Sequence, residues 1–295
     1  MDTQYIRFVL LIVIILITGT SAYADDNVEI ASYSIDRKIS LLSDIRTRGT
    51  SDSLSGPGAR LEIDVAHQSG LIALAEINNV SKKVMTGGDG VGMLFAMGWR
   101  TGNPEKWHFG IGLAAEVFPG AQFSAPHSID LDTGTPGDQR TTNYNTDYAV
   151  LEIGYGNLQG RIINVISRTY RGADTGGVCG AMLQYSLDPT KALECYARGD
   201  HGSRGTWLFD LDYKYPIRSD TTITVHGGYQ KVANFPEADS FDYSIGVSHV
   251  RWGIEWQAAW TGAIVRTREL YLVQDGDSTK RTYRPTLVVS ATYRF

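Results

Sequence analysis

Ionisable side chains in this chain recur at every second position. Asp44, Arg46 and Arg48 form one such series; Arg60, Glu62 and Asp64 a second; Asp210, Asp212 and Lys214 a third. Glu76, His108, Glu116, Glu152, Glu255 and Arg294 occupy the same phase of other segments. Both signs are present, and apolar residues fall between them. A two-residue period puts all these groups on one face of extended chain. The chemistry open to them is electrostatic: pairing with one another across a shared interior, or selecting the charge of a passing solute. The spacing leaves both open.

Bond-making chemistry has little support. No G-x-x-x-x-G-K-[ST], H-E-x-x-H or G-x-S-x-G occurs. His67 and His249 sit near strand ends, but no motif marks a serine partner. The acidic turns Gly87-Gly88-Asp89-Gly90 and Asp275-Gly276-Asp277 lack the spacing of a calcium loop. No metal or cofactor is expected. Cys179 and Cys195 are the only cysteines, and in an exported protein the expected outcome is a disulfide.

The elements that must carry these residues are strands. Trp107, Phe109, Ile111, Leu113, Ala115 and Val117 alternate with His108, Gly110, Gly112, Ala114 and Glu116. Trp207 to Tyr215 and Trp252 to Trp260 repeat the pattern. A helix would scatter these tryptophans and carboxylates around every face. About twelve such segments are expected: 39–48, 58–68, 70–78, 90–99, 107–117, 145–156, 159–170, 205–215, 220–230, 241–249, 251–262 and 284–295. A further short strand is expected near Cys179 to Leu187.

Connections between these segments alternate strictly between short and long, the signature of an antiparallel up-and-down sheet. In hydrocarbon an open sheet edge is untenable, so strands facing lipid must close into a ring. The expected fold is all-β, a closed transmembrane barrel of about twelve strands. Trp99, Trp107, Tyr155, Tyr215, Trp252 and Tyr293 fall near the short-turn ends; Tyr170, Trp207, Tyr229, Phe241 and Trp260 fall near the long-loop ends. Two such girdles suit the two membrane interfaces.

Both termini agree. Phe8 to Ile17 is a run of ten large apolar residues, followed by Ala22-Tyr23-Ala24. The run is short of the roughly 20 residues of a spanning helix and resembles a cleaved export signal. We therefore expect a signal peptide over 1–24, a short periplasmic segment over 25–38 and the barrel over 39–295. The last strand ends Tyr293-Arg294-Phe295, an expected address for barrel-insertion machinery. Composition fits: 32 Gly, 16 Tyr and 6 Trp suit a sheet with many turns, and a formal charge of −5 gives no reason to expect nucleic-acid binding.

The segment Ser43-Asp44-Ile45-Arg46-Thr47-Arg48-Gly49-Thr50-Ser51-Asp52-Ser53 resembles the opening motif of the TorF-type porins, also known as the Gcw_chp family of outer-membrane proteins. Arg48-Gly49 and Ser51 match; Ile45 stands where the family has an aromatic. Trp107 to Glu116 with Phe118-Pro119-Gly120, the strand Tyr148 to Gly156, and Gly227-Gly228-Tyr229 extend the resemblance. It implies an outer-membrane barrel in a Gram-negative bacterium, its partners being lipids and small polar solutes. The loops around 118–144 and 171–204 look like additions. Two functions follow: a passive channel, or a plugged barrel that works through its long loops.

Overall fold

The computed structural model describes residues 32–295; the expected signal peptide lies outside them. Twelve strands form the wall: β1 (Tyr33–Leu42), β2 (Gly58–His67), β3 (Leu71–Asn79), β4 (Val91–Gly102), β5 (Trp107–Val117), β6 (Thr146–Tyr155), β7 (Leu158–Val165), β8 (Trp207–Arg218), β9 (Thr221–Lys231), β10 (Ser240–Arg251), β11 (Ile254–Val265) and β12 (Thr286–Arg294). Each pairs antiparallel with its neighbours in sequence, and β12 returns to β1, with Lys38 opposite Arg294 and Leu42 opposite Ser290. The ring is closed, so no edge is left unpaired.

The outer surface is greasy along its whole height. Ile111 is 66% exposed and Leu41 64%, and Trp107, Leu113, Leu211 and Val289 are exposed with them. A water-soluble protein rarely leaves such a continuous apolar surface uncovered. Here it is the face that alternation assigned to lipid.

Short turns gather at one end. Between β10 and β11 only Trp252 and Gly253 intervene, both with positive φ, matching the twist a two-residue hairpin needs. The aromatic girdle at this end is outward as expected. Trp107 packs against Tyr155 at 5.1 Å between centroids, and Tyr293 stacks on Phe295. At the other end Trp207, Tyr229, Phe241 and Trp260 are exposed. Tyr170 departs from expectation: it is buried, and its hydroxyl donates to Gln230. It lies beyond β7, where the chain has already turned inward.

The long loops carry structure of their own. A hairpin pairs Gln122–Ile129 with Pro136–Asn143, and another pairs Leu272–Asp275 with Ser278–Arg281. Helices α1 (Thr175–Tyr185) and α2 (Thr190–Ala197) fill the β7–β8 loop. The strand expected near Cys179 to Leu187 is therefore a helix. Asp174 caps it by accepting from the Gly177 N–H, and Val178, Cys179 and Met182 share its buried side. The disulfide expected between Cys179 and Cys195 joins α1 to α2. Together with Tyr148, Val165, Tyr170, Tyr196, Val232 and Phe235, these residues make a core at the loop end of the ring.

The first strand also departs from expectation. It covers Tyr33–Leu42 rather than 39–48. Ser43 to Arg48, expected to finish that strand, leaves the wall. Arg46–Thr47 pairs with Thr50–Ser51 as a small hairpin of its own. Ile45 is fully buried, and nothing on the outer wall would bury it in that way.

Candidate functional site

The faces between the greasy positions point inward, and the charged residues read from the sequence lie on them. They are paired. Lys38 meets Glu62 at 2.5 Å and Asp64 at 2.7 Å. Arg60 meets Glu76 at 3.2 Å, and Arg294 meets Glu255 at 3.1 Å. Glu152 is held by Arg100 at 2.7 Å, and Asp212 by Arg161 at 2.7 Å. His226 stands between Asp212 and Asp242, 2.7 Å from each. His108 packs against the backbone of Gly154, where no Cβ would fit. Lys214 has no ion pair among the described residues.

Asp44, Arg46 and Arg48 are inside for a different reason than expected. They belong to the inward hairpin, not to a wall strand. Buried Asp44 accepts from Ser51 and Ser53 hydroxyls at 2.5 and 2.8 Å. Arg46 donates to the carbonyls of Thr282 and Arg284 at 2.7 and 2.8 Å, tying the hairpin to the β11–β12 loop. At the tip Arg48 and Gly49 both have positive φ. Arg48 reaches across the ring to Asp210 on β8 and, at 3.3 Å, to Asp242 on β10. Gly49 lies so close to β11 that an added Cβ would stand 2.2 Å from the Gly262 carbonyl oxygen. Only glycine permits both that backbone and that contact.

The base of the hairpin is held as firmly. Asp52 pairs with Arg171 of the β7–β8 loop at 2.8 Å, and Arg171 also faces Glu116 at 3.3 Å. Burial works against the Arg171 charge, but Asp52 and Glu116 outweigh it and hold the guanidinium well above its ordinary range. Tyr148 donates to Glu116 at 2.9 Å. These links join two loops and two wall strands into one inward layer.

Two cavities flank the tip. On the loop side a space of about 730 Å³ is lined by Arg48, Asp52, Lys82, Arg171, Tyr185 and Tyr271, among others. On the turn side a space of about 400 Å³ is lined by Gln159, Arg161, Asp212, Lys214, His226 and Gln257, among others. Arg48 borders the first, and its partner Asp210 also faces Arg161 of the second, at 3.8 Å. The hairpin tip thus stands between two cavities, one on the loop side and one on the turn side.

Above it the loops are locked by charge. Buried His127 bonds Asp200 at 2.6 Å, and Arg140 meets the same carboxylate at 2.5 Å. Partial burial pushes Asp200 up, but His127 and Arg140 prevail and hold it below the usual carboxylate range. Asp275, expected in a simple acidic turn, is pulled down to about 2 by Lys280 and Lys83.

Sequence reasoning missed Lys38, Arg100, Arg161, His226, Asp242 and Arg171. Lys38 precedes the expected start of strand 1, and Arg161 stands beside Ile162 and Ile163, adjacent apolar residues that fit either face. His226 and Asp242 share the inward parity of their strands and were legible on that signal alone. Arg171 lies in a loop, where parity carries no information.

The sequence matches the model of a family described as a bacterial protein of unknown function, Gcw_chp, over residues 27–295. No curated protein matches the chain in sequence. Among solved structures it is similar to the KdgM porin in complex with disordered oligogalacturonate, at 10% identity and a TM-score of 0.46, covering 88% of this chain and 98% of that one. The NanC porin gives 12% identity and 0.47, with 88% and 98% covered. The COG4313 outer membrane channel from Pseudomonas putida F1 gives 9% and 0.39, with 92% and 100% covered.

Proposed function

The chain belongs to the Gcw_chp family, and from that premise we propose that it is an outer-membrane porin, a passive diffusion channel for small polar or ionic solutes. The observation that carries the reading is the combination of a greasy closed wall with a charged interior that holds open space on both sides of the hairpin tip. An Arg or Lys costs roughly 2–4 kcal/mol on the lipid face at mid-depth, and a carboxylate less. Inside the ring they remain hydrated or paired. The pore-lining set is Arg60, Glu62, Asp64, Glu76, His108, Glu116, Glu152, Asp210, Asp212, Lys214, Glu255 and Arg294 on the wall, with Asp44, Arg46 and Arg48 on the hairpin.

In this reading the protein is exported to the periplasm of a Gram-negative cell by residues 1–24, and Tyr293 with Phe295 presents the terminal strand to the insertion machinery. The outward stack of these two rings at the free end of β12 supports that role. The hairpin sets the cut-off. Arg48 opposite Asp210 and Asp242 lays a transverse field across the passage, which orients dipolar solutes and slows ions of either sign.

A second reading has one observation in its favour. Nearly every inward charge is already paired, and the hairpin is tied on all sides, as in a plugged barrel acting through its disulfide-linked loops. Planar bilayers separate the two. Purified protein is expected to give discrete conductance steps. A bilayer that stays sealed at high protein load refutes the channel and leaves the plugged form.

A further inference from the structure

The wall of the lumen has two unlike sides. On β3 and β4 the residues with the parity of the paired ions Glu76 and Arg100 include Ile72, Leu74, Leu94 and Ala96. Leu74 lies opposite Ala96, Ile72 opposite Gly98, and Gly98 in turn opposite Gly112 of β5. These make one contiguous apolar patch, half-buried and turned away from lipid. The ring order sets β3 and β4 across from β9 and β10.

That opposite side is polar. Around the cavity of about 400 Å³ stand Gln159, Thr224, Ser244 and Gln257, whose side chains make no hydrogen bond among the described residues. With them stands Lys214. The other inward-facing wall cations below the tip, Lys38, Arg60, Arg100, Arg161 and Arg294, are each matched by carboxylates. Lys214 is the exception, and the Asp212 and Arg161 beside it are matched to each other. One positive charge, flanked by amide and hydroxyl groups, thus stands on β8 beside Thr224 of β9, and β9 lies across the ring from the leucine and isoleucine of β3.

We infer that the turn-end half of the lumen is a selectivity site for small organic anions with an apolar body, the anionic group at Lys214 and the body on the Ile72–Leu74–Ala96 wall. The inference rests on the channel reading. A hydrophilic ion would sit against the apolar wall with nothing to offset the water it displaces. A neutral hydrocarbon would leave Lys214 and its donors unmet. A two-faced solute satisfies both sides, and the cavity is of the size that small-molecule sites have.

The probes are benzenesulfonate and methanesulfonate, which stay ionised and differ in their apolar bodies. A plain sieve favours the smaller. Bi-ionic reversal potentials of the full-length protein in planar bilayers are expected to favour benzenesulfonate several-fold, and benzenesulfonate is expected to slow the chloride current. Lys214→Gln is expected to lose most of the preference for either sulfonate over sodium. Leu74→Ser is expected to lose the preference for benzenesulfonate over methanesulfonate. Both variants are first required to show the heat-modifiable migration of a folded barrel. Conductance with methanesulfonate favoured, or a folded Lys214→Gln protein with unchanged selectivity, overturns the inference and leaves the channel standing. Silence with every ion overturns both.

Discussion

Replacing Gly49 with valine is expected to drive the hairpin tip out of the passage and raise single-channel conductance. Gly49 has φ +69, a region that costs an L-residue about 1–2 kcal/mol, and β-branching makes it worse. The contact is the larger obstacle. A Cβ there stands 2.2 Å from the Gly262 oxygen and 2.6 Å from its carbonyl carbon. To reach an ordinary separation near 3.4 Å the tip must withdraw by more than an ångström. Gly262 cannot retreat, because it lies in β11, paired with Tyr243 of β10, and Pro285 lies close beside it. Withdrawal strains the pairs of Arg48 with Asp210 and Asp242, whose side chains are almost wholly buried. Breaking a buried pair by removing one partner costs about 3–5 kcal/mol; valine at 49 leaves all three ions in place to find water. The barrel should therefore stay folded while the constriction opens. Conductance in planar bilayers measures this, with heat-modifiable migration as the control for folding. A folded Gly49→Val protein with the conductance of the parent would mean that the tip is not the narrow point.

Three further outcomes follow from other parts of the molecule. Ile111→Lys, on the outer face of β5, should cost about 2–4 kcal/mol if it lies at mid-bilayer, read from urea titration in lipid vesicles; a neutral result contradicts the lipid-facing assignment. Cys179→Ser with Cys195→Ser should loosen α1 from α2 by about 3 kcal/mol on the chain-entropy account of a loop of about 15 residues, seen as faster proteolysis of the β7–β8 loop with the barrel intact. The tie from Lys83 and Lys280 to Asp275 should hold wherever that carboxylate is ionised. Because its pKa is depressed from 3.8 to about 2, the tie is complete above the unfolded value and is lost as pH falls through the folded one. Hydrogen exchange of the hairpin Leu272–Arg281 should rise only over that acidic range, and a rise near neutral pH would contradict it.

How far the site was legible varies residue by residue. Arg60, Glu62, Asp64, Glu76, Asp210, Asp212 and Glu255 were placed inside by counting alternate positions. Their partners needed more. Glu62 meets Lys38 because β1 and β2 are neighbours in one register, and that register depends on where β1 begins. Arg48 was assigned to the interior on the strength of a strand that ends before it. The chain in fact leaves the wall at Ser43 and brings the arginine in on a hairpin. The segment after Cys179 shows the opposite error: its small and apolar residues fit either period, and the Asp174 cap with tertiary burial chose helix.

The order of polar and apolar residues by itself determined a closed antiparallel barrel. Its two-residue period separates the faces locally, hydrocarbon forbids an unpaired edge, and the alternation of short and long connections fixes which ends turn tightly. Only the folded ring decided which strands look at each other across the lumen. That depends on closure and stagger, which no local period records. The tertiary structure thereby set the polar residues of β9 and β10 across from the leucine and isoleucine of β3 and β4, and Gly49 touching the backbone of Gly262. It also brought Arg48 between two aspartates far away in the chain, because a buried charge comes to rest only where its counter-charges stand.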